Sequence, residues 1–159
     1  MPNLDTLPAK GNYTLIILLK APSRVKMARY GRVKLDKGYY AYTGSALGQG
    51  AMGLRSRVAR HFRKEKKKHW HIDCLLASRT ACITAVVAAP SKDNKECEIS
   101  NLIENIEGAT VLITGFGASD CKYNCKSHLI RLGENNNLEK VADAYKHVAG
   151  ENQLQIYKP

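Results

Sequence analysis

Apolar and polar positions recur with two different periods along the chain. A continuous apolar run at 13–19 predicts a central strand that is buried on both faces. Apolar and basic residues alternate over 25–35, which predicts a half-exposed hairpin. Residues 39–43 and 82–89 predict two further strands.

Three segments place apolar residues at the spacing of an amphipathic helix. They lie at 53–68, 92–107 and 138–149. Two short strands are predicted at 111–113 and 129–132. The order of these elements predicts a small mixed α/β (α+β) fold, in which a largely antiparallel sheet is flanked by helices.

Charge is distributed unevenly over the 159 residues, whose formal net charge is +11. Residues 1–80 hold 17 Lys and Arg against 4 Asp and Glu, a net charge of +13. Residues 81–159 hold 8 against 10, a net charge of −2. Such asymmetry favours a polyanionic partner, most simply nucleic acid, over a generic basic surface.

The apolar stretches and the cysteines indicate the cellular compartment in which we expect the protein. No run approaches the roughly 18 apolar residues of a membrane span, and the start of the chain lacks the pattern of a signal peptide. We therefore expect no membrane partner. Because the chain has an odd number of cysteines, five, we expect reduced thiols and a cytoplasmic location.

The predicted helix at 53–68 carries eight basic side chains and one acidic residue. Arg57 and His61 lie one turn apart on one face, at the edge of the apolar stripe. An arginine held there suits a bidentate phosphate contact. The alternative is a solvated helix whose basic stems cover apolar surface. The other basic residues, predicted to contact a nucleic-acid backbone, are Arg55, Arg60, Arg63, Lys64, Lys66, Lys67 and Lys68.

Tyrosine supplies eight of the eleven aromatic residues. Tyr13 opens the first predicted strand, and Tyr40 and Tyr42 share one face of a later strand. A phenol near a basic cluster or a metal loses its proton more easily and can act as a general base. Alternatively, these tyrosines are ordinary strand formers with a solvated hydroxyl.

Three motifs follow one another in a fixed order. Gly11-Asn12-Tyr13 opens a strand, Tyr42-Thr43-Gly44-Ser45 closes another, and Leu54, Arg57 and His61 follow with the spacing Leu-x2-Arg-x3-His. This order resembles the GIY-YIG nuclease superfamily over about residues 11–132, which leaves 1–10 as an N-terminal arm and 133–159 as a C-terminal extension with a helix. The chain looks closest to a poorly characterised prokaryotic branch, through the signatures His69-Trp70-His71-Ile72-Asp73, Glu96-Cys97-Glu98 and Gly115-Phe116-Gly117-Ala118-Ser119-Asp120-Cys121.

The resemblance implies an endonuclease that hydrolyses phosphodiester bonds of DNA, rather than RNA, with a divalent cation (Mg²⁺ or Mn²⁺), in a role such as DNA repair. It implies that Tyr13 and Tyr42 help to activate water and that Arg57 stabilises the charge of the transition state. His61 would assist proton transfer or contact phosphate. The alternative is a non-catalytic nucleic-acid-binding module on the same fold.

The metal-binding glutamate implied by the resemblance is assigned to Glu98, with Glu96 and Glu104 as alternatives. The sequence departs from the motifs of the superfamily at Asn12 and Thr43, which stand in place of isoleucine. The spacer between the two tyrosine motifs is also longer than usual, which the segment at 25–35 explains.

Two further clusters are candidate sites. His69, His71 and Asp73 share a face if their stretch is extended, and they then ligate a metal or bind phosphate. Alternatively, they fix the loop after the basic helix, with Asp73 as a helix N-cap. The second cluster consists of potential zinc ligands, namely Cys121, Cys125 and His128, with Cys97 as a fourth.

Overall fold

A five-stranded antiparallel sheet forms the centre of the protein, in a computed structural model that describes residues 3–27, 30–116 and 127–159. The longest strands lie in its middle, and the order across the sheet is β6-β4-β1-β5-β7. The strands are β1 (Gly11–Leu19), β4 (Gly38–Ala46), β5 (Ala81–Pro90), β6 (Leu129–Gly133) and β7 (Gln155–Tyr157).

A separate two-stranded hairpin joins β1 to β4. It consists of β2 (Ser23–Lys26) and β3 (Arg32–Leu35), which pair in antiparallel register. Val25 and Leu35 are buried on its inner face, where they extend one of the two apolar clusters of the protein. The alternation of apolar and basic residues in the sequence therefore corresponds to one packed face and one exposed face.

Four helices cover the sheet. We call the side that carries α1, α2 and the hairpin the α1 face, and the side that carries α3 and α4 the α4 face. Short 3₁₀ turns precede α1, at Gly50–Met52, and follow α4, at Glu151–Gln153. The helices are α1 (Leu54–Phe62), α2 (His71–Leu76), α3 (Glu96–Glu104) and α4 (Leu138–Ala149).

The central strand β1 explains why the apolar run in the sequence is continuous. Tyr13, Leu15 and Ile17 point to the α1 face, whereas Thr14 and Ile16 point to the α4 face. All five side chains are at most 1% exposed. A strand covered on both faces has no solvent side, so its sequence shows no alternation.

The fold class predicted from the sequence is confirmed: the protein is a mixed α+β fold with an antiparallel sheet flanked by helices. The terminal helix also has its predicted bounds. The predicted basic helix is too long, because α1 ends at Phe62, and the predicted helix at 92–107 is shortened to α3.

Three details of the fold differ from the expectation. The segment at 111–113 is not a strand, and its neighbour Thr110 forms only an isolated bridge to Arg131. Strand β7 is additional. Leu4 and Leu7 are buried, so the N-terminal arm packs against the α1-face cluster. Within the described parts of the chain, no helix is long and apolar enough to cross a membrane.

Candidate active site

A buried tyrosine–histidine pair lies at the start of β1. The phenol oxygen of Tyr13 is 2.7 Å from Nε2 of His61, and the two residues are 1% and 2% exposed. Helix α1 brings His61 inward because Leu54, Val58 and His61 form its buried stripe, at positions i, i+4 and i+7. Sequence motifs from two distant elements therefore meet in one hydrogen bond.

Gly44 makes room for this pair. It lies opposite Tyr13 in the register of β1 and β4, and a Cβ atom at this position would lie 2.7 Å from the phenol oxygen. That separation is too short for a non-bonded carbon contact. The glycine in the second tyrosine motif therefore allows the phenol to sit against the sheet.

Burial shifts the pKa values of Tyr13 and His61 in opposite directions, and both shifts favour the uncharged form. It raises the pKa of Tyr13 well above its usual value, and it lowers the pKa of His61 to about 3. At neutral pH the phenol is protonated and the imidazole is neutral, so the phenol can donate to Nε2. The remaining ring nitrogen, Nδ1, is buried and has no hydrogen-bond partner among the residues that the structure describes.

Tyr42 lies on the same face of the sheet as Tyr13. Its ring meets His61 edge to face, with centroids 6.1 Å apart, and contacts Phe116 at 6.3 Å. Burial, followed by the charge of Glu96, raises the pKa of Tyr42. Both motif tyrosines therefore border the same imidazole.

Arg57 lies one turn before His61 on α1 and is held at two points. One of its guanidinium nitrogens donates to the carbonyl of Ser45, and the guanidinium lies over the ring of Trp70, 5.0 Å from the ring centroid. Trp70 also lies 5.8 Å from the His61 ring. This fixed cation beside the tyrosine–histidine pair is where an anionic group would be stabilised.

Asp73 anchors the segment that supplies Trp70. Its carboxylate is fully buried and accepts two hydrogen bonds of 2.9 Å from Arg60. It also accepts bonds from the backbone N–H groups of His69 and Trp70. Although burial alone raises the pKa of Asp73, these hydrogen bonds hold it below its usual value.

The histidines near Asp73 do not form a shared site with it. Because α2 begins at His71, the stretch is not extended, and the three side chains do not lie on one strand face. His69 is exposed, and His71 packs against Tyr30. The arrangement corresponds to the alternative in which this segment fixes the loop after the basic helix, although Asp73 is the third residue of α2 rather than its N-cap.

The structure distinguishes the three candidate glutamates. Glu96 is the first residue of α3, and its negative charge contributes to the raised pKa values of Tyr13 and Tyr42. The side chain of Glu98 is 62% exposed and lies 4.0 Å from Lys95. Glu104 lies at the far end of α3, roughly 12 Å along the helix axis from Glu96. The effect of its charge on both phenols favours Glu96 over Glu98, and the metal-binding glutamate stays a prediction.

Asn12 gives a reason for one departure from the superfamily motif. It is 2% exposed, and its side chain accepts a hydrogen bond from the backbone N–H of Lys95 and donates one to the carbonyl of Asp93. These bonds fix the start of α3 against β1. An isoleucine could form neither bond, so Asn12 positions Glu96.

As a metal ligand, Glu96 would suit a hard cation. Mg²⁺ typically takes one or two carboxylates and completes its shell with water and substrate phosphates. The single carboxylate of Glu96 would fit that mode. Among the described residues, no group of three His, Cys, Asp or Glu side chains is placed to hold a metal by itself.

The candidate zinc ligands are only partly visible. Cys121 and Cys125 lie outside the described residues. His128 is buried, with Nε2 3.8 Å from Sγ of Cys97 and Nδ1 3.4 Å from the Glu96 carboxylate. Cys97 is disulfide-bonded, so the expectation that every thiol is reduced is wrong for this residue, whereas Cys74 and Cys82 are free.

Several basic residues of the predicted backbone-binding set are engaged within the protein. Lys64 donates to the carbonyls of Leu76, Ser78 and Ala81. The Lys66 side chain is 6% exposed and donates to the carbonyls of Arg60 and His61, which close the end of α1.

Burial lowers the pKa of Lys66 to about 8. Lys64, Lys66 and Arg60 are therefore engaged within the fold, and their contact with a nucleic-acid backbone stays a prediction. The exposed members of the set are Arg55, Arg63, Lys64, Lys67 and Lys68, of which Arg55 also donates to the carbonyl of Leu7.

Trp70 and Gly44 are the site residues to which the sequence assigned no role. Both occur within quoted motifs, but their functions depend on contacts across the fold: Trp70 with Arg57, and Gly44 with Tyr13. The available signal was a lone tryptophan between two histidines after a basic helix.

The fold and these contacts define a small α+β domain with a buried tyrosine–histidine pair beside a fixed arginine. The chain belongs to the family described as "Domain of unknown function DUF123", whose match covers residues 12–150. The matched range includes α4, which the sequence placed in an extension. Searches of curated proteins and of solved structures found no match.

Proposed function

We propose that this protein is a metal-dependent endonuclease that hydrolyses phosphodiester bonds of DNA. The observation that carries the proposal is the 2.7 Å contact between Tyr13 and His61, with Arg57 fixed beside it. A proton-accepting group and a cation for the developing charge are the protein groups that such hydrolysis requires. The resemblance of the motifs to the GIY-YIG superfamily supports the same activity.

In the proposed reaction, one proton moves from the attacking water to the buried imidazole of His61. Water attacks phosphorus, its proton passes through the Tyr13 hydroxyl to Nε2 of His61, and the bond to the leaving oxygen breaks as that oxygen takes a proton from solvent. An anionic phosphate at the site raises the pKa of His61, so the imidazole becomes a stronger base only when substrate is bound. Tyr42 orients the attacking water from the neighbouring strand.

Arg57 stabilises the negative charge on the phosphoryl oxygens in the transition state. Because Ser45 and Trp70 already hold its guanidinium, little reorganisation is needed when that charge develops. Glu96 would hold Mg²⁺ or Mn²⁺ near the tyrosines, and the cation would neutralise phosphate charge. Because Cys97 is disulfide-bonded, it cannot supply a thiolate to zinc, so it is ruled out as the fourth ligand, while zinc at Cys121, Cys125 and His128 stays a prediction.

DNA as the substrate, rather than RNA, and a role in DNA repair rest on the resemblance alone. We also propose a cytoplasmic location, supported by the free thiols of Cys74 and Cys82, while the disulfide of Cys97 argues against it.

A non-catalytic nucleic-acid-binding module is the second candidate function. One observation favours it: the Glu96 carboxylate lies 3.4 Å from Nδ1 of His128, a contact that competes with metal binding. This candidate predicts salt-sensitive DNA binding without cleavage in any metal.

Cleavage of plasmid and branched DNA in Mg²⁺ or Mn²⁺ tests the two candidates. We expect Arg57→Ala and Glu96→Gln each to lower the rate about 10²-fold or more. Glu98→Gln is the matched control, on the same helix but facing solvent, and should leave the rate unchanged. Cleavage that survives Arg57→Ala at full rate contradicts the proposed mechanism, and binding without any cleavage supports the module.

A further inference from the structure

The outer face of the β2–β3 hairpin carries four cations in two opposed pairs. Arg24 lies directly opposite Lys34, and Lys26 lies directly opposite Arg32. Paired residues of an antiparallel ladder point to the same side, and all four of these residues are exposed. The opposite side of the hairpin is the packed one.

This arrangement concentrates positive charge within a small area. Side chains two residues apart along a strand are separated by about 7 Å, and directly paired Cβ atoms by about 5 Å. The four charges therefore lie within about one Debye length, roughly 8 Å at physiological ionic strength. Like charges directly opposite each other destabilise a hairpin.

No ion pair between described residues offsets that repulsion. Neither strand contains an acidic residue, and none of the ion pairs between described residues includes these four side chains. Folding alone therefore does not account for the arrangement. An external anion that pairs with all four cations would remove the repulsion.

The hairpin lies next to the candidate active site. Tyr30, at the end of the hairpin, packs on His71 and Phe116, with ring centroids 5.1 and 5.9 Å apart. Phe116 in turn contacts Tyr42. The hairpin is thus joined by ring contacts to Tyr42, one of the two tyrosines that border His61.

We propose that this outer face binds the sugar–phosphate backbone of DNA and holds it beside the candidate active site, an inference that rests on the proposed function. Nucleic acid suits the surface better than a membrane does. The outward positions of both strands are all Arg or Lys, whereas membrane-surface elements also insert apolar side chains between lipids.

Fluorescence anisotropy with a labelled 20-base-pair DNA duplex in EDTA tests the proposal without cleavage. We expect Arg24→Gln/Lys34→Gln to weaken binding by about tenfold or more at 0.15 M salt and to reduce the slope of log K against log[salt] by about 2. The matched control is Lys140→Gln/Lys146→Gln, which removes the same charge from α4 and should change affinity by less than about threefold.

Two further measurements separate binding from folding. The charge-conserving variant Arg24→Lys/Lys34→Arg should bind within about twofold of the unmodified protein. In urea unfolding, the Gln variant should be at least as stable as the unmodified protein, because it relieves like-charge repulsion. A Gln variant that unfolds more easily, in proportion to its loss of binding, contradicts the proposal.

The remaining outcomes distinguish failure of this inference from failure of the proposed function. The hairpin and α4 variants can lose the same DNA affinity while the unmodified protein still cleaves DNA. That result overturns only the proposed role of the hairpin. A protein that neither binds nor cleaves DNA overturns the proposed function as well. Loss of binding to phosphatidylserine vesicles with unchanged DNA binding assigns the face to a membrane and overturns the inference.

Discussion

Two buried tyrosines on opposite faces of the sheet differ only in their partners. On the α1 face, the Tyr13 hydroxyl lies 2.7 Å from a ring nitrogen of His61. On the α4 face, the Tyr145 hydroxyl lies 2.7 Å from the Thr14 hydroxyl, which continues to Thr43. Burial raises the pKa of both phenols. Only Tyr13 has a neighbour that can take up a proton, so burial and a hydrogen bond do not by themselves make a reactive phenol.

The two faces also differ in how they are held together. Apolar side chains such as Ile103 and Val141 pack the α4 face. The α1 face includes the buried cluster of Asp73, Arg60 and Lys66. Burial of charged groups costs desolvation energy. The α1 face has to offset this cost, whereas apolar packing on the α4 face carries no such cost. Charge on the α1 face therefore serves to hold Trp70 and the end of α1 in place.

Removal of the central carboxylate should have the largest effect on this comparison. Asp73→Ala leaves Arg60 and Lys66 without their shared anion and frees the backbone N–H groups of two residues. We expect a loss of about 3–5 kcal/mol in the free energy of unfolding, measured by urea denaturation.

The control for Asp73 is an exposed acid in a surface pair. Glu98→Ala removes a carboxylate that lies 4.0 Å from Lys95, and it should change the free energy of unfolding by less than about 0.5 kcal/mol. Similar losses in the two variants would show that the α1 face does not depend on buried charge.

Removal of each phenol oxygen compares the two tyrosines directly. We expect Tyr13→Phe to lower the rate of DNA cleavage about 10²-fold, because it interrupts proton transfer to His61. Tyr145→Phe should leave that rate within about twofold and cost about 1 kcal/mol in the free energy of unfolding. If both variants lose the same activity, the difference in partners has no catalytic meaning.

The pH dependence of stability tests the buried imidazole of the α1 face. The pKa of His61 is about 3 in the folded protein, against about 6.5 in the unfolded chain. Below pH 6.5 the unfolded chain therefore binds a proton that the folded protein does not. The free energy of unfolding therefore decreases as the pH is lowered. Between pH 7 and pH 5 this contribution is about 2 kcal/mol.

Comparison with His61→Gln isolates this contribution, because the variant has no group that titrates at this position. Urea unfolding at several pH values should show a weaker decline for the variant than for the unmodified protein. Asp73 does not interfere, since its lowered pKa places its own loss of stability at more acidic pH. Equal pH dependence would contradict a buried neutral imidazole.

The spacing of apolar residues correctly predicted helices that bury one continuous apolar face. Helix α4 was predicted at its observed bounds because its apolar stripe is continuous and Gly150 follows it. The basic helix was predicted too long, because residues 63–68 have no apolar position to bury. Lys66 instead folds back onto the last carbonyls of α1, a tertiary contact that leaves no periodic trace in the sequence.

The choice among the glutamates shows that side-chain direction depends on contacts across the fold. The sequence placed the Glu96-Cys97-Glu98 signature at the start of the second amphipathic helix, which gave no reason to separate Glu96 from Glu98. The observed helix begins at Glu96, and two residues further on the helix has turned by about 200°, which carries Glu98 to solvent. The signal for the correct boundary is the pair of hydrogen bonds from Asn12, which joins residues more than 80 positions apart.

Gly44 links the identities of two positions that lie 31 residues apart in sequence. Any side chain at position 44 would displace the Tyr13 phenol from His61. Within the family, therefore, we expect substitution at one position to accompany substitution at the other.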